Sequence, residues 1–178
     1  MTIAPERRIY LINVADLLRR AGSHRDIEFV APVTSIAIVD SAVPDGAEAR
    51  VRLKLESLSD GLTVTGTVGA AWRGDCRRCL EPAEGVLCAD VREVYSSHPQ
   101  SDDIWPLHGE QLDLHDLVVE ALTLELPLAP LCRPSCRGLC PVCGVNRNDG
   151  DCGHRGAAGD PRWAALESAR FPDRDPEG

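Results

Sequence analysis

Residues 131–144 read LCRPSCRGLCPVCG, which puts Cys132, Cys136, Cys140 and Cys143 within twelve positions; Cys76, Cys79, Cys88 and Cys152 lie elsewhere in the chain. The sharpest chemical signal is Cys140-Pro141-Val142-Cys143-Gly144. Two thiolates on such a tight turn converge on one cation, and the glycine after the second admits the unusual dihedrals of the turn. Zinc takes four ligands in a tetrahedron with Zn–S near ~2.3 Å, so one turn supplies half a site.

Two sets of partners can complete it. Cys132 and Cys136 would make a single local four-cysteine site. Only Arg137-Gly138-Leu139 separates Cys136 from Cys140, a link of at most ~14 Å that must also reverse direction, with Gly138 to help it. In the other scheme Cys76-x2-Cys79 joins Cys132-x3-Cys136 across the fold, while Cys140 and Cys143 take Cys152 and His154. The count favours the second scheme, which uses seven cysteines and one histidine. The expected cofactor is zinc, one or two ions per chain, in a structural role, because four protein ligands leave no open position for substrate. Cys88 is left over in a strand and is expected to be a small buried hydrophobe.

Rival chemistries fit less well. The C-terminal spacing matches neither of the common ferredoxin runs. Arginines beside Cys76 and Cys79 would lower a thiol pKa, but a redox CxxC opens a helix in a βαβ unit, and this one joins antiparallel strands. His98, His108 and His115 lie near acids without a nucleophile to serve. Gly61, Gly66, Gly69 and Gly74 are spread along strands instead of forming a phosphate loop. No catalytic residue is expected, and the chain reads as a non-enzyme.

The elements that must position the thiols can be read from hydrophobic period. Ile9–Val14 suggests a strand, 16–20 a helical turn stopped by Gly22, and 33–43 a further apolar stretch. Val51, Leu53 and Leu55 alternate with Arg52, Lys54 and Glu56, which makes a half-buried strand. Asp60-Gly61 supplies a tight hairpin turn. Leu62, Val64, Val68, Ala70 and Trp72 form the return strand, which runs into Cys76, and Val86–Tyr95 leads away. Cys76 and Cys79 thus fall on a strand-to-strand turn. Residues 96–109 are polar and irregular. A helix then carries Leu114, Leu117, Val118, Ala121 and Leu122 on one face, with Asp113 as its cap and Leu126-Pro127 as its end. Asp160-Pro161-Arg162-Trp163 opens a last short helix, docked by Trp163 and Leu166.

These elements make an α+β fold: an antiparallel meander with one main helix and a loop-rich, zinc-binding C-terminal segment. The expected divisions are 1–130 for the α+β domain with its CxxC turn, 131–170 for the zinc-binding segment, and 171–178 for a disordered tail. A signal peptide and a run of ~20 apolar residues are both missing, which points to a soluble cytoplasmic protein.

The net charge of −9 excludes indiscriminate nucleic-acid binding, but the charge is unevenly placed. Residues 93–131 carry eight acids and no Lys or Arg. Arg73, Arg77 and Arg78 sit beside the first cysteine pair, against Asp75 alone, and Arg133, Arg137 and Arg147 sit in the second stretch with no acid. Such a body could meet phosphate on one face only.

In chain order come Cys76-Arg77-Arg78-Cys79-Leu80 after an alternating hairpin, the acidic helix, Leu126-Pro127-Leu128-Ala129-Pro130-Leu131-Cys132, Gly138-Leu139-Cys140-Pro141-Val142-Cys143-Gly144-Val145-Asn146, and Asp160-Pro161-Arg162-Trp163. This ordered set, from about residue 8 to 170, resembles the YceD family, the large ribosomal RNA subunit accumulation proteins, in the form with extra C-terminal cysteines. The resemblance implies a link to accumulation of 23S ribosomal RNA, with metal and nucleic-acid binding. It carries over onto the turn at 76–80 and the cluster at 132–143, and less directly onto Cys152 and His154. Arginine in place of all lysines but Lys54 points to a GC-rich bacterium.

Two functions follow as expectations. In the first, zinc fixes an arginine-bearing surface that clamps phosphates of ribosomal RNA or a pre-large-subunit particle. The acidic 93–125 surface would meet a basic ribosomal protein. Neither a membrane nor a small-molecule substrate is involved. In the alternative, the chain is a zinc- or redox-responsive protein-interaction module without direct RNA contact, recognisable by zinc release under mild oxidant.

Overall fold

The computed structural model describes residues 5–154; the helix expected at 160–163 with Trp163 and Leu166, and the 171–178 tail, lie outside the described residues. The chain divides into two compact units, Met1–Cys136 and Arg137–Gly178.

The first unit is built on the alternation seen at 51–72. Its strands are β1 (Leu11–Asn13), β2 (His24–Pro32), β3 (Ile36–Ala37), β4 (Ser41–Val43), β5 (Glu48–Leu58), β6 (Gly61–Asp75), β7 (Pro82–Ser96), β8 (Trp105–Pro106) and β9 (Gln111–Asp113), with helices α1 (Ala15–Leu18) and α2 (His115–Glu125). β6 is the spine of a seven-stranded sheet. It pairs antiparallel with β7 along its whole length, from Gly61↔Ser96 to Asp75↔Pro82. On its other side it pairs first with β5 and then with the short β4. β2 forms one edge by pairing with β5. β1 and β9 make a separate two-stranded sheet.

Period-two burial decides which side chains meet the core. Ala49, Val51, Leu53 and Leu55 of β5, Leu62, Val64, Val68 and Ala70 of β6, and Leu87, Val91 and Tyr95 of β7 turn inward and are buried. Leu117, Val118 and Leu122 of α2 join the same core. The architecture is mostly sheet with one main helix, as an α+β fold requires.

Several local expectations need correction. Residues 9–14 are not one strand: a 3-10 turn, Pro5–Tyr10, precedes β1. The hairpin turn is Ser59-Asp60, since Leu58 and Gly61 already pair. Gly61 stands at φ 150°, where a Cβ would strike the Tyr95 carbonyl oxygen. Asp113 lies one residue before the helix cap position, Leu114, yet its carboxylate still accepts the His115 N–H at 3.0 Å. Cys88 is exposed, not buried. It lies on β7 between Leu87 and Ala89, both of which point into the core, so strand alternation turns it to solvent.

Candidate metal centres

Two groups of four ligand side chains come together, one in each unit. In the first unit these are Cys76, Cys79, Cys132 and Cys136, and in the second Cys140, Cys143, Cys152 and His154; within each group the ligand atoms all lie within 4.8 Å of one another. The structure therefore separates Cys132 and Cys136 from Cys140 and Cys143, in place of one local four-cysteine site.

The first group is assembled at the β6–β7 connection. Its turn is locked by the Cys76 N–H donating to the Glu81 carbonyl at 2.8 Å and by the Leu80 N–H donating to the Cys76 carbonyl at 2.8 Å. The second group repeats the pattern: the Cys140 N–H donates to the Val145 carbonyl at 2.8 Å and the Gly144 N–H to the Cys140 carbonyl at 2.9 Å. The residue after the second cysteine has positive φ in both turns, 73° at Gly144 and 64° at Leu80. Glycine takes that conformation freely, whereas a leucine there costs about 1–2 kcal/mol. Leu80 is the one non-glycine residue with positive φ among the described residues. Tertiary interactions must hold it there.

Those interactions are visible. Past α2, which ends at Leu126-Pro127, the chain returns to the turn. The Ser41 hydroxyl donates to the Pro127 carbonyl at 3.0 Å, and the Arg77 N–H to the Pro130 carbonyl at 2.9 Å. Arg78 Nη1 donates to the Cys136 carbonyl at 3.0 Å. Arg78 is thus a brace across the ligand set, a role the sequence does not reveal because its acceptor is a backbone carbonyl far along the chain. In the second unit the Arg147 N–H donates to the Gly138 carbonyl at 2.9 Å, and Asn148 Oδ1 accepts the Arg137 N–H at 2.8 Å.

The thiol geometry fits a tetrahedral ion. Cys76 Sγ lies 3.7 Å from Cys136 Sγ, and Cys79 Sγ lies 3.6 Å from Cys132 Sγ. A zinc tetrahedron with ~2.3 Å bonds has S···S edges of ~3.8 Å, whereas a disulfide would bring the sulfurs to ~2.0 Å. All eight cysteines are free thiols. Cys76, Cys79 and Cys136 are buried and Cys132 is exposed, so the group opens to solvent at one ligand.

Proton affinities are graded within each group. Burial pushes the Cys76 thiol up, but the N–H groups of Cys132, Arg78 and Cys79 together outweigh it and hold its pKa at about 6. The Glu81 N–H would lower Cys79, yet burial and the neighbouring thiols of Cys76, Cys136 and Cys132 drive it up to about 12. In the second group the Cys143 and Val142 N–H groups hold Cys140 at about 6 against its burial. Cys76 and Cys140 are thus held toward the thiolate, while Cys79, Cys132 and Cys143 are pushed toward the thiol. Ion affinity should fall on acidification, as it does for any site whose ligands must deprotonate.

Of the arginines singled out from the sequence, Arg73, Arg77, Arg78 and Arg133 lie in the first unit and Arg137 and Arg147 in the second. Arg73, Arg77, Arg78, Arg133 and Arg137 are exposed, whereas Arg147 is half-buried. His115 sits on the first turn of α2 with Nδ1 2.7 Å from Asp116, and His98 Nδ1 lies 3.9 Å from Asp60. Among the described residues neither is paired with a nucleophile. Among the described residues no helix is long and apolar enough to cross a membrane.

An uncharacterized protein of Mycobacterium tuberculosis is 36% identical over 173 residues, covering 92% of this chain and 83% of its own length, and one of Mycobacterium bovis matches to the same extent. An uncharacterized protein of Mycobacterium leprae is 29% identical over 172 residues, covering 92% of this chain and 78% of its own. No solved structure matches the chain significantly. Residues 64–168, which include both ligand groups, match the family described as large ribosomal RNA subunit accumulation protein YceD, and the chain belongs to that family.

Proposed function

We propose that the chain is a non-enzymatic cytoplasmic factor that supports accumulation of 23S ribosomal RNA and assembly of the large ribosomal subunit. In this reading zinc occupies both ligand groups and makes rigid the turns that present arginine to RNA phosphates. The family to which the chain belongs supports the ribosomal RNA link. One observation carries the rest. Arg73, Arg77 and Arg133 lie on or beside the segments that the first four thiols fasten, and none of their guanidinium groups has an ion pair or side-chain hydrogen bond among the described residues. Arginines left unpaired in a chain of net charge −9 are available for an outside anion, and a guanidinium grips phosphate bidentately. The eight acids of 93–131 disfavour bare RNA on that side and suit a basic ribosomal protein. Four protein ligands at each centre leave no position for a substrate, which favours a structural over a catalytic metal.

Binding to 23S RNA or to a large-subunit precursor should weaken steeply with salt. The double variant Arg77→Ala/Arg133→Ala should reduce the slope of log K against log salt by about one for each phosphate no longer gripped. Arg78 is left in place because it braces Cys136. Filter binding between about 50 and 200 mM salt measures this. An affinity that ignores both salt and the substitutions would overturn the phosphate clamp.

A further inference from the structure

Among the described residues, the sheet ends on one side in an unpaired strand edge. β7 pairs with β6 on one side, while on the other only Tyr95 and Ser96 are paired, with β8. From Pro82 to Val94 no backbone hydrogen bond is formed on that outer side among the described residues. Such an edge is a template for another strand, and proteins usually blunt it with lysine, a bulge or inward charge. β7 has no lysine, and its register with β6 is continuous, without a bulge; its edge is guarded only at the two ends, by Pro82 and by the inward Glu93 with residues 102–106 beside it.

Between Pro82 and Val94, both exposed, the solvent-facing residues are Glu84, Val86, Cys88, Asp90 and Arg92. Glu84 and Arg92 form no ion pair within the described residues. Val86 is 78% exposed. Leu124 of α2, 77% exposed, stands beside Asp90 and Val91 at the same edge.

We propose that β7 pairs antiparallel with β7 of a second copy of this chain, about a two-fold axis at Cys88. Antiparallel pairing must keep outward residues opposite outward residues, so only a few registers are open. With the axis at Cys88, Glu84 of each copy faces Arg92 of the other, and Val86 faces Asp90. Two ion pairs form and no like charges meet. An axis at Leu87 would oppose Glu84 and Asp90 twice, and an axis at Asp90 would oppose two aspartates. The other free edge, β2, behaves differently. Its outward residues include Asp26 and Glu28, and pairing with itself about Ile27 would bring these acids together twice. No register of β2 forms two ion pairs with its own copy, because its outward residues His24, Asp26, Glu28, Val30 and Pro32 include no Lys or Arg, whereas β7 about Cys88 is self-complementary. Opposite charges directly across a strand pair are each worth about 0.2–1 kcal/mol, and like charges cost as much.

Sedimentation velocity on the zinc-loaded full chain tests the proposal. The wild type is expected to dimerise at or below about 100 μM, a modest affinity for a short edge pair. Glu84→Arg or Arg92→Glu alone should raise the dissociation constant at least about tenfold, and the double reversal Glu84→Arg/Arg92→Glu should restore it. Both residues are exposed, so near-ultraviolet circular dichroism should stay unchanged in all variants. Cys88→Arg, which sets two cations at the axis, should also give monomer. A wild type monomeric at that concentration, or a dimer indifferent to all these changes, would overturn the interface. Failure of the double reversal to rescue would overturn its register.

Discussion

Cys136→Ser is expected to lower the unfolding free energy of the zinc-loaded protein by about 4 kcal/mol or more, against about 1 kcal/mol for an ordinary point substitution. The thiol is buried, 3.7 Å from Cys76 Sγ, and its backbone carbonyl takes the Arg78 hydrogen bond. A structural zinc contributes its binding free energy to folding, on the order of 10–16 kcal/mol for small zinc domains. A serine hydroxyl is a poor replacement for a thiolate, so much of that contribution goes. The fastening of 127–136 to the β6–β7 turn goes with it. Cys88→Ser is the natural control: the thiol is exposed on the outer face of the sheet, and its removal should change stability by no more than about 0.5 kcal/mol. Urea unfolding of both variants decides the matter, and equal midpoints would contradict a metal at the first group.

Gly66→Ala should be as severe for a different reason. Gly66 pairs with Leu53 on β5 and with Val91 on β7, in the middle of the sheet. Its φ is 146°, and a Cβ there would fall on the Arg52 carbonyl oxygen and press the Leu53 Cα. Neither is a side chain that can swing away. The ladder must open locally, and the expected cost is about 3 kcal/mol or more. Gly109→Ala is the comparison: its φ of 63° is also left-handed, but nothing lies within 4 Å, so only the backbone preference of about 1 kcal/mol is at stake. Thermal unfolding should separate the two variants clearly. Comparable midpoints would mean that β6 does not pack as described.

How far the sequence can be read depends on how many signals agree. From Val51 to Trp72 the alternation, the turn residues and the β-branched threonines all point to one hairpin, and the buried residues are the ones alternation selects. The partition of the thiols is legible because it is a matter of chain length. Three residues between Cys136 and Cys140 cannot easily face both pairs inward, while the CRRC turn supplies the missing half. β2 is not legible. Its inward residues Arg25, Ile27 and Phe29 are only half-buried, and Pro32 closes the run, so its period is diluted. Cys88 is misread because Val86-Leu87-Cys88-Ala89 is apolar throughout and hides the phase. Asp90 and Arg92, both outward, fix it. The Arg78 brace arises from the 127–136 segment folding back on the turn, which no local pattern encodes; the left-handed Leu80 follows from its place after the second cysteine, as at Gly144, and is hidden because a leucine stands there.

Metal content per chain tests the central claim most directly. Elemental analysis of the purified full chain should give two zinc ions for the wild type. Cys76→Ser should leave one, and so should Cys152→Ser, because each empties one group and spares the other. A single zinc that survives Cys76→Ser would contradict the paired-site account and return the metal to Cys132, Cys136, Cys140 and Cys143 alone.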